Sequence, residues 1–376
     1  MKFLQREYDT LEALLPGLDK ALSAFSLSEL EERGGPGITA LREAGGSGLL
    51  VPSEHGGVGA SARDAVRCTR AIATRSPSVA VAATMHNFSV ASLVTLAATS
   101  TGFEWLLLDA VARDRRMMSS AFAEGRTGQG VLTPTMAARR AEGGWLISGS
   151  KKPCSLSASM DLITASVELR EEDGSTALGI AVIPASTPGI SVRPFWGSIV
   201  LAGAESDEVV LDDVLVHDEL IIKPVLDPET NLDELNTTGL IWFTLLVSAV
   251  YLGTASALVS RLLESGRGDA AARVDVVTDL EACALSLDRV AWGVDSGQVG
   301  NDTLADALTA RYAMQRTIRR VVGTTVELLG GMAFVSSPDV ARLAASVHAL
   351  AFHPPGRMST VDSLDRYHAG QPLRID

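Results

Sequence analysis

The chain has 376 residues, 46% hydrophobic and 20% charged, with a net charge of −13. That length exceeds one ordinary core, so two or three packed units are expected, with ample apolar material to fill them. The acidic balance argues against a nucleic-acid or anionic-membrane partner, since both need clustered Lys and Arg.

Residues 8 to 113 read as helical, interrupted at Gly34-Gly35-Pro36-Gly37 and again around Leu49–Gly59. Asp64–Ala73 and Ser78–Ala98 carry apolar residues at helical spacing. From Met117 the texture changes to short β-branched or alternating runs: Met117–Ala123, Met136–Arg139, Trp145–Ser148, Asp161–Glu168, Leu178–Ile183, Ile190–Pro194, Ser206–Leu211 and Val214–His217. Turn residues punctuate them, as a small antiparallel barrel or sandwich requires. Pro224–Glu234 reads as a polar linker. Long helical patterns follow at Leu240–Ser265, Ala271–Ser296 and Thr303–Leu329, the last closed by Gly330-Gly331. A final helix, Pro338–Phe352, stops at Pro354-Pro355. The expected division is an N-terminal helical domain (1–113), a β-rich middle domain (114–224) and a C-terminal helical bundle (225–376).

Cys68, Cys154 and Cys283 are widely spaced and odd in number, so neither a disulfide framework nor a metal site is indicated. Cys154 reads as a buried, inert thiol. The charged residues within Met1–Lys20 do not make a signal peptide. Leu240–Ala257 is too rich in polar and small residues to span a membrane. A cytoplasmic protein is expected.

The order of helices, strands and helices resembles the acyl-CoA dehydrogenase family, and local motifs agree. Leu50-Val51-Pro52-Ser53-Glu54-His55-Gly56-Gly57-Val58-Gly59 is similar to the family's turn between early helices. Gly143–Lys151 resembles a strand pair of the middle domain, Tyr251-Leu252-Gly253-Thr254-Ala255 a helix crossing, and Glu327–Phe334 the paired-glycine segment that in family members approaches a neighbouring subunit's FAD. The resemblance implies a mainly α protein with a β middle domain and a C-terminal four-helix bundle, assembled as a homodimer or homotetramer.

Departures from the family fall at its reaction centre. Pro354 stands where the resemblance places the glutamate that removes the substrate's α-proton. Trp242 occupies the alternative glutamate position, and Phe243 that of an expected arginine. Ala123 and Gln129 replace a threonine and a serine that contact the flavin, and Pro153-Cys154-Ser155-Leu156 replaces the aromatic wall of the isoalloxazine ring. If FAD is bound, Ser155, Gly330 and Gly331 are its candidate ligands.

His353 and His86 are the candidate proton-transfer groups, since an imidazole titrates near neutrality. A helix-capping role for His353 and a core role for His86 are the plain alternatives. Met85, Phe122, Trp196, Trp242 and Phe243 are expected to line an apolar cavity around a small hydrophobic substrate. The favoured expectation is a cofactor-free cyclase or isomerase that folds a polyketide-like compound, with proximity supplying the rate. The alternatives are an FAD-dependent acyl-thioester dehydrogenase or flavin monooxygenase, and an inactive structural partner subunit.

Overall fold

The computed structural model describes residues 2–99, 102, 104–125, 133–171 and 173–375. Gln129, one of the positions compared with the family above, lies outside them. The chain begins with helices α1 (Gln5–Leu14), α2 (Leu18–Ser23), α3 (Leu27–Leu30), α4 (Gly37–Glu43), α5 (Ala62–Arg75), α6 (Pro77–Thr99) and α7 (Glu104–Arg113). Local chemistry sets their ends. Ser26 and Glu29 form a reciprocal capping box on α3, and the Ser61 hydroxyl accepts from the Asp64 N–H at the start of α5. Pro77, which lacks an N–H to leave unpaired, opens α6.

Strands β1 (Met118–Ala121), β2 (Ala137–Ala141), β3 (Gly144–Cys154), β4 (Leu162–Arg170), β5 (Thr176–Pro184), β6 (Ile190–Arg193), β7 (Asp207–His217) and β8 (Ile221–Ile222) form one sheet in the order β6-β7-β3-β2-β4-β5-β8. The helix–sheet–helix class is the expected one, but the sheet is mixed rather than antiparallel. β1 pairs with residues 162–165 of β4 and β2 with residues 168–170, both parallel. The nine residues of β4 are long enough to hold two short strands end to end on one edge, while β5 runs antiparallel on the other. The two runs expected at Ser206–Leu211 and Val214–His217 are a single strand, β7, irregular at Asp213 (φ 48°) opposite Ile147–Gly149. Trp145, Ile147, Ile163, Val167 and Val209 fill the interior of this unit.

The C-terminal part comprises α8 (Glu234–Ser265), α9 (Ala270–Asp295), α10 (Asn301–Ser336), α11 (Pro338–Ser346) and α12 (Val361–His368). α8 begins at the edge of the stretch read as a linker, because Asp233 caps it by accepting the Asn236 N–H at 2.7 Å. Gly330 (φ 79°, ψ 161°) kinks α10 rather than ending it. α8 is the central helix, packed against α5, α6, α9 and α10. At Gly253 a Cβ would lie 2.3 Å from the Arg70 carbonyl oxygen, so only glycine permits this α5–α8 approach. Arg70, 1% exposed, pairs with Glu7 and Glu281 at 2.8 Å and reaches the Ser256 hydroxyl, tying α1, α5, α8 and α9 together. Pro77–Ala98 and Glu234–Ser265 are long and apolar enough to cross a membrane, but their most apolar windows are 72% and 89% buried inside this fold. Both are core helices.

Candidate active site

A cavity of about 300 Å³ lies where α6 and α8 face the sheet, and the segment after α11 closes it. Each wall follows from the periodicity of its element. On α6, Val81, Met85, Phe88, Ser89 and Ser92 recur at three- and four-residue intervals and share one face. On α8, Asn236, Gly239, Leu240 and Phe243 do the same. Along β1 and its extension, Met118, Ser120 and Phe122 alternate and point to the same side of the sheet. Thr164, Ile180 and Val182 continue that wall, and Ser155, Trp196 and Ser206 border it.

The aromatic lining is ordered by ring contacts. Phe88 meets Phe243 edge-on with centroids 5.3 Å apart, and Phe243 meets the His353 ring at 6.0 Å. The polar lining consists of neutral groups. Ser155 and Ser206 share a hydrogen bond of 2.9 Å, and Thr164 lies 3.2 Å from the Ser89 hydroxyl. Ser120 is 8% exposed, and its hydroxyl has no hydrogen-bond partner among the described residues.

His353 and Pro354 face the cavity from the segment after α11. Arg311, 1% exposed, holds this segment by donating to the carbonyl oxygens of Leu350, His353 and Pro354. Tyr312 donates to the Pro355 carbonyl at 2.8 Å. The fully buried Tyr251 hydroxyl lies 2.7 Å from His353 Nε2, its sole hydrogen-bond partner among the described residues. A phenol O–H sealed in a core must donate, and burial raises the Tyr251 pKa, so the proton stays on oxygen. Tyr251 therefore donates to Nε2 and fixes His353 as the Nδ1–H tautomer. Burial, reinforced by the Arg311 charge, pulls the His353 pKa down to about 3. The ring is a neutral hydrogen-bond donor at ordinary pH, and Pro354 beside it has no proton to give or take.

Met85, Phe122, Trp196, Phe243, Ser155 and His353 are thus brought to one void. His86 and Trp242 are not. His86 is fully buried, its Nδ1 accepts the Met118 N–H at 2.9 Å and its Nε2 donates to the Ser47 carbonyl at 2.8 Å. Burial lowers its pKa to about 4, and both nitrogens are engaged, so it joins α6 to β1 and has no atom left for a substrate. Trp242 neighbours Phe243 on α8, about 100° around the helix. With Phe243 facing the cavity, Trp242 packs elsewhere against the core. Gly330 and Gly331 sit at the α10 kink, outside the cavity wall, where the Arg267 guanidinium donates to the Leu329 carbonyl. Cys154 is buried and its pKa is pushed up to about 12 by desolvation, as an inert thiol requires. Sequence reasoning missed Tyr251 and the hydroxyls of Ser89, Ser120, Thr164 and Ser206. Ser120 carried a signal: it interrupts the apolar alternation of Met118 and Phe122.

The chain belongs to the acyl-CoA dehydrogenase family. Residues 26–102 match the acyl-CoA dehydrogenase N-terminal domain and residues 119–214 its middle domain. Among its relatives is the isobutylamine N-hydroxylase of Streptomyces viridifaciens, 46% identical over 378 residues and covering 100% of both chains. The fold is also that of a nitrososynthase from Micromonospora carbonacea var. africana (TM-score 0.84, 21% identity, 98% of each chain). FMN-bound TdsC from Paenibacillus sp. A11-2 superposes with a TM-score of 0.83 at 18% identity, over 98% of this chain and 99% of that one.

These likenesses correct two expectations. The cofactor-free cyclase or isomerase is overturned by a full-length relative that is an N-hydroxylase, an enzyme of oxidation rather than ring closure. The preference for no cofactor falls with it, since hydroxylation needs an oxidant and TdsC carries FMN on the same fold. An enzyme acting on a small molecule stands, and the flavin monooxygenase alternative becomes the better reading.

Proposed function

We propose that the protein is a flavin-dependent monooxygenase that places one oxygen atom on the nitrogen of a small amine. The observation that carries this reading is the full-length 46% identity to an amine N-hydroxylase; Pro354, which the resemblance sets in place of the family's proton-abstracting glutamate, lines the cavity.

The cavity suits an isoalloxazine ring. Such a ring has two broad apolar faces and one edge of alternating donors and acceptors. Phe122, Trp196 and Phe243 offer apolar surface, while Ser120, Ser155, Thr164 and Ser206 offer hydroxyls that both donate and accept. The buried Ser120 hydroxyl, unpartnered among the described residues, is the kind of group a ligand edge satisfies. A bound reduced flavin supplies the two electrons that, with dioxygen, put one oxygen atom on the substrate nitrogen and release the other as water. The chain's own residues do the rest. Phe88, Phe122 and Phe243 exclude water from the reacting atoms, and the His353 Nδ1–H presents one fixed donor. We further propose a homo-oligomer working in the cytoplasm. Support comes from the exposed Met332, Phe334 and Val335 beyond the α10 kink and from three free cysteines.

The test is turnover of isobutylamine by purified protein with FMN or FAD, a separate flavin reductase with NADH, and ¹⁸O₂. A hydroxylamine carrying one ¹⁸O atom supports the proposal. Flavin binding without label in any product from three- to six-carbon amines refutes it.

A further inference from the structure

The cavity's charge pattern specifies which form of an amine enters it. Every polar group on the wall is neutral: hydroxyls from α6 and the sheet, the Asn236 amide, and the His353 imidazole. No Asp, Glu, Lys or Arg lines it among the described residues, and Arg126–Leu132, which are not described, contain no acid. The nearby charges lie behind the wall, and all of them but Glu205 are engaged. Glu124 pairs with Lys151 beneath β1 and β4. Asp207 pairs with Arg33 and takes the Phe195 and Trp196 N–H groups. Glu205 is buried next to Ser206 with its Oε2 unpartnered among the described residues, but it is not part of the cavity wall. Asp233 caps α8, where one oxygen accepts both the backbone and side-chain N–H groups of Asn236. Arg311 is engaged with carbonyls behind His353. Lys223, beside Ile222, pairs with Glu171 on the outside.

An alkylammonium in this cavity would lose its hydration and find no carboxylate in exchange. Phe88 and Phe243 meet edge to face at 5.3 Å, so one ring face of the pair is covered by the other's edge rather than turned to a cation. The positive Arg311 behind His353 adds repulsion. On the amine N-oxygenation reading, we propose that the cavity takes its substrate as the uncharged free base of a compact aliphatic primary amine and rejects the ammonium form. The same selection suits the chemistry, because only the free base carries the nitrogen lone pair that accepts oxygen. Solution pH, rather than a residue of the site, then sets the usable substrate concentration. A primary alkylamine resembles a lysine side chain with a pKa of about 10.4, so about one molecule in 2,500 is free base at pH 7.

The experiment is calorimetric binding to the oxidised flavin-loaded protein, without turnover, between pH 7 and 9. The apparent dissociation constant of isobutylamine should fall about tenfold per pH unit, about 100-fold in all. That of 2,2,2-trifluoroethylamine, largely unprotonated at neutral pH because fluorine withdraws electron density, should stay flat. This contrast separates titration of the ligand from titration of a protein group such as Lys151, whose pKa burial lowers. Isobutyltrimethylammonium should bind at least 100-fold more weakly than isobutylamine at pH 9. Flat binding of isobutylamine, or comparable binding of the quaternary ion, overturns the inference. The ¹⁸O assay fails or succeeds independently: pH-dependent binding with no oxygen transfer condemns the oxygenase reading alone. Oxygen transfer with pH-independent binding condemns the free-base inference alone.

Discussion

Replacing Tyr251 by Phe removes one oxygen atom from the core and should reveal whether His353 works as a fixed donor. The hydroxyl is fully buried and makes a single 2.7 Å bond to His353 Nε2. Without it, Nε2 is an acceptor with no partner, which costs about 1 to 3 kcal/mol of folding stability. For 376 residues, at about 2.1 cal/mol/K each, the unfolding entropy is about 0.8 kcal/mol/K, so the melting temperature should drop by about 1 to 4 °C. The tautomer also loses its bias, and the cavity donor with it. A neutral hydrogen bond of about 0.5 to 1.5 kcal/mol corresponds to roughly a two- to twelvefold loss in kcat/KM for amine oxidation. The assay is steady-state hydroxylamine formation by Tyr251→Phe, His353→Ala and the double variant. In the His353→Ala background the tyrosine substitution should add little, because its effect passes through the missing ring. Equal losses in both backgrounds would refute the argument that Tyr251 acts through His353.

Three further outcomes are expected. Changing Ser206 to Ala removes the partner of Ser155 and should weaken flavin binding several-fold by fluorescence titration, while the same change at the exposed Ser198, outside the cavity wall, should leave binding unaltered. The folded-state pKa of His86 is about 4 against about 6.5 when unfolded, so its contribution to stability is intact above pH 6.5 and lost as pH falls toward 4. By pH 5 this amounts to about 2 kcal/mol, seen as a steeper fall in melting temperature than in His86→Gln. Light scattering should give a mass above one 39.5 kDa chain, and Met332→Glu with Phe334→Glu should lower it; a wild-type monomer would remove the proposed assembly.

The fold was legible because it is written in periodicities spread over many residues. The continuous apolar run at Leu178–Ile183 and the helical spacing of Ser78–Ala98 each survive into an element, β5 and α6. Details set by a single contact were not. The capped start of α8 at Asp233 looks like linker sequence until its backbone geometry is known, and Gly330 reads equally well as a helix end or a kink. The site was legible where a residue's identity departs from a family pattern, as at Pro354. It was opaque where orientation decides. Phe243 and Trp242 are adjacent aromatics in sequence, yet the turn of a helix sends one to the cavity and the other away. His86 is fully buried and His353 half-buried, both neutral, but of the two only His353 has a ring nitrogen without a protein partner among the described residues.

The proline that the resemblance sets in place of the glutamate and the presence of an amine-oxidising relative fit together when charge is followed. A carboxylate at position 354 would serve removal of a carbon-bound proton, which needs a base held against the substrate. In amine oxygenation the substrate brings its own lone pair, so that base has no proton to remove. It would instead pair with an ammonium and hold the amine in its unreactive form. If the resemblance holds at these positions, Pro354 removes this trap and Phe243 a cation that would repel or compete; burial and the Arg311 charge keep the neighbouring imidazole neutral, and Tyr251 fixes its tautomer. What the sequence first presented as erosion of a catalytic centre is, on this argument, a centre made neutral for a substrate that must arrive without its proton.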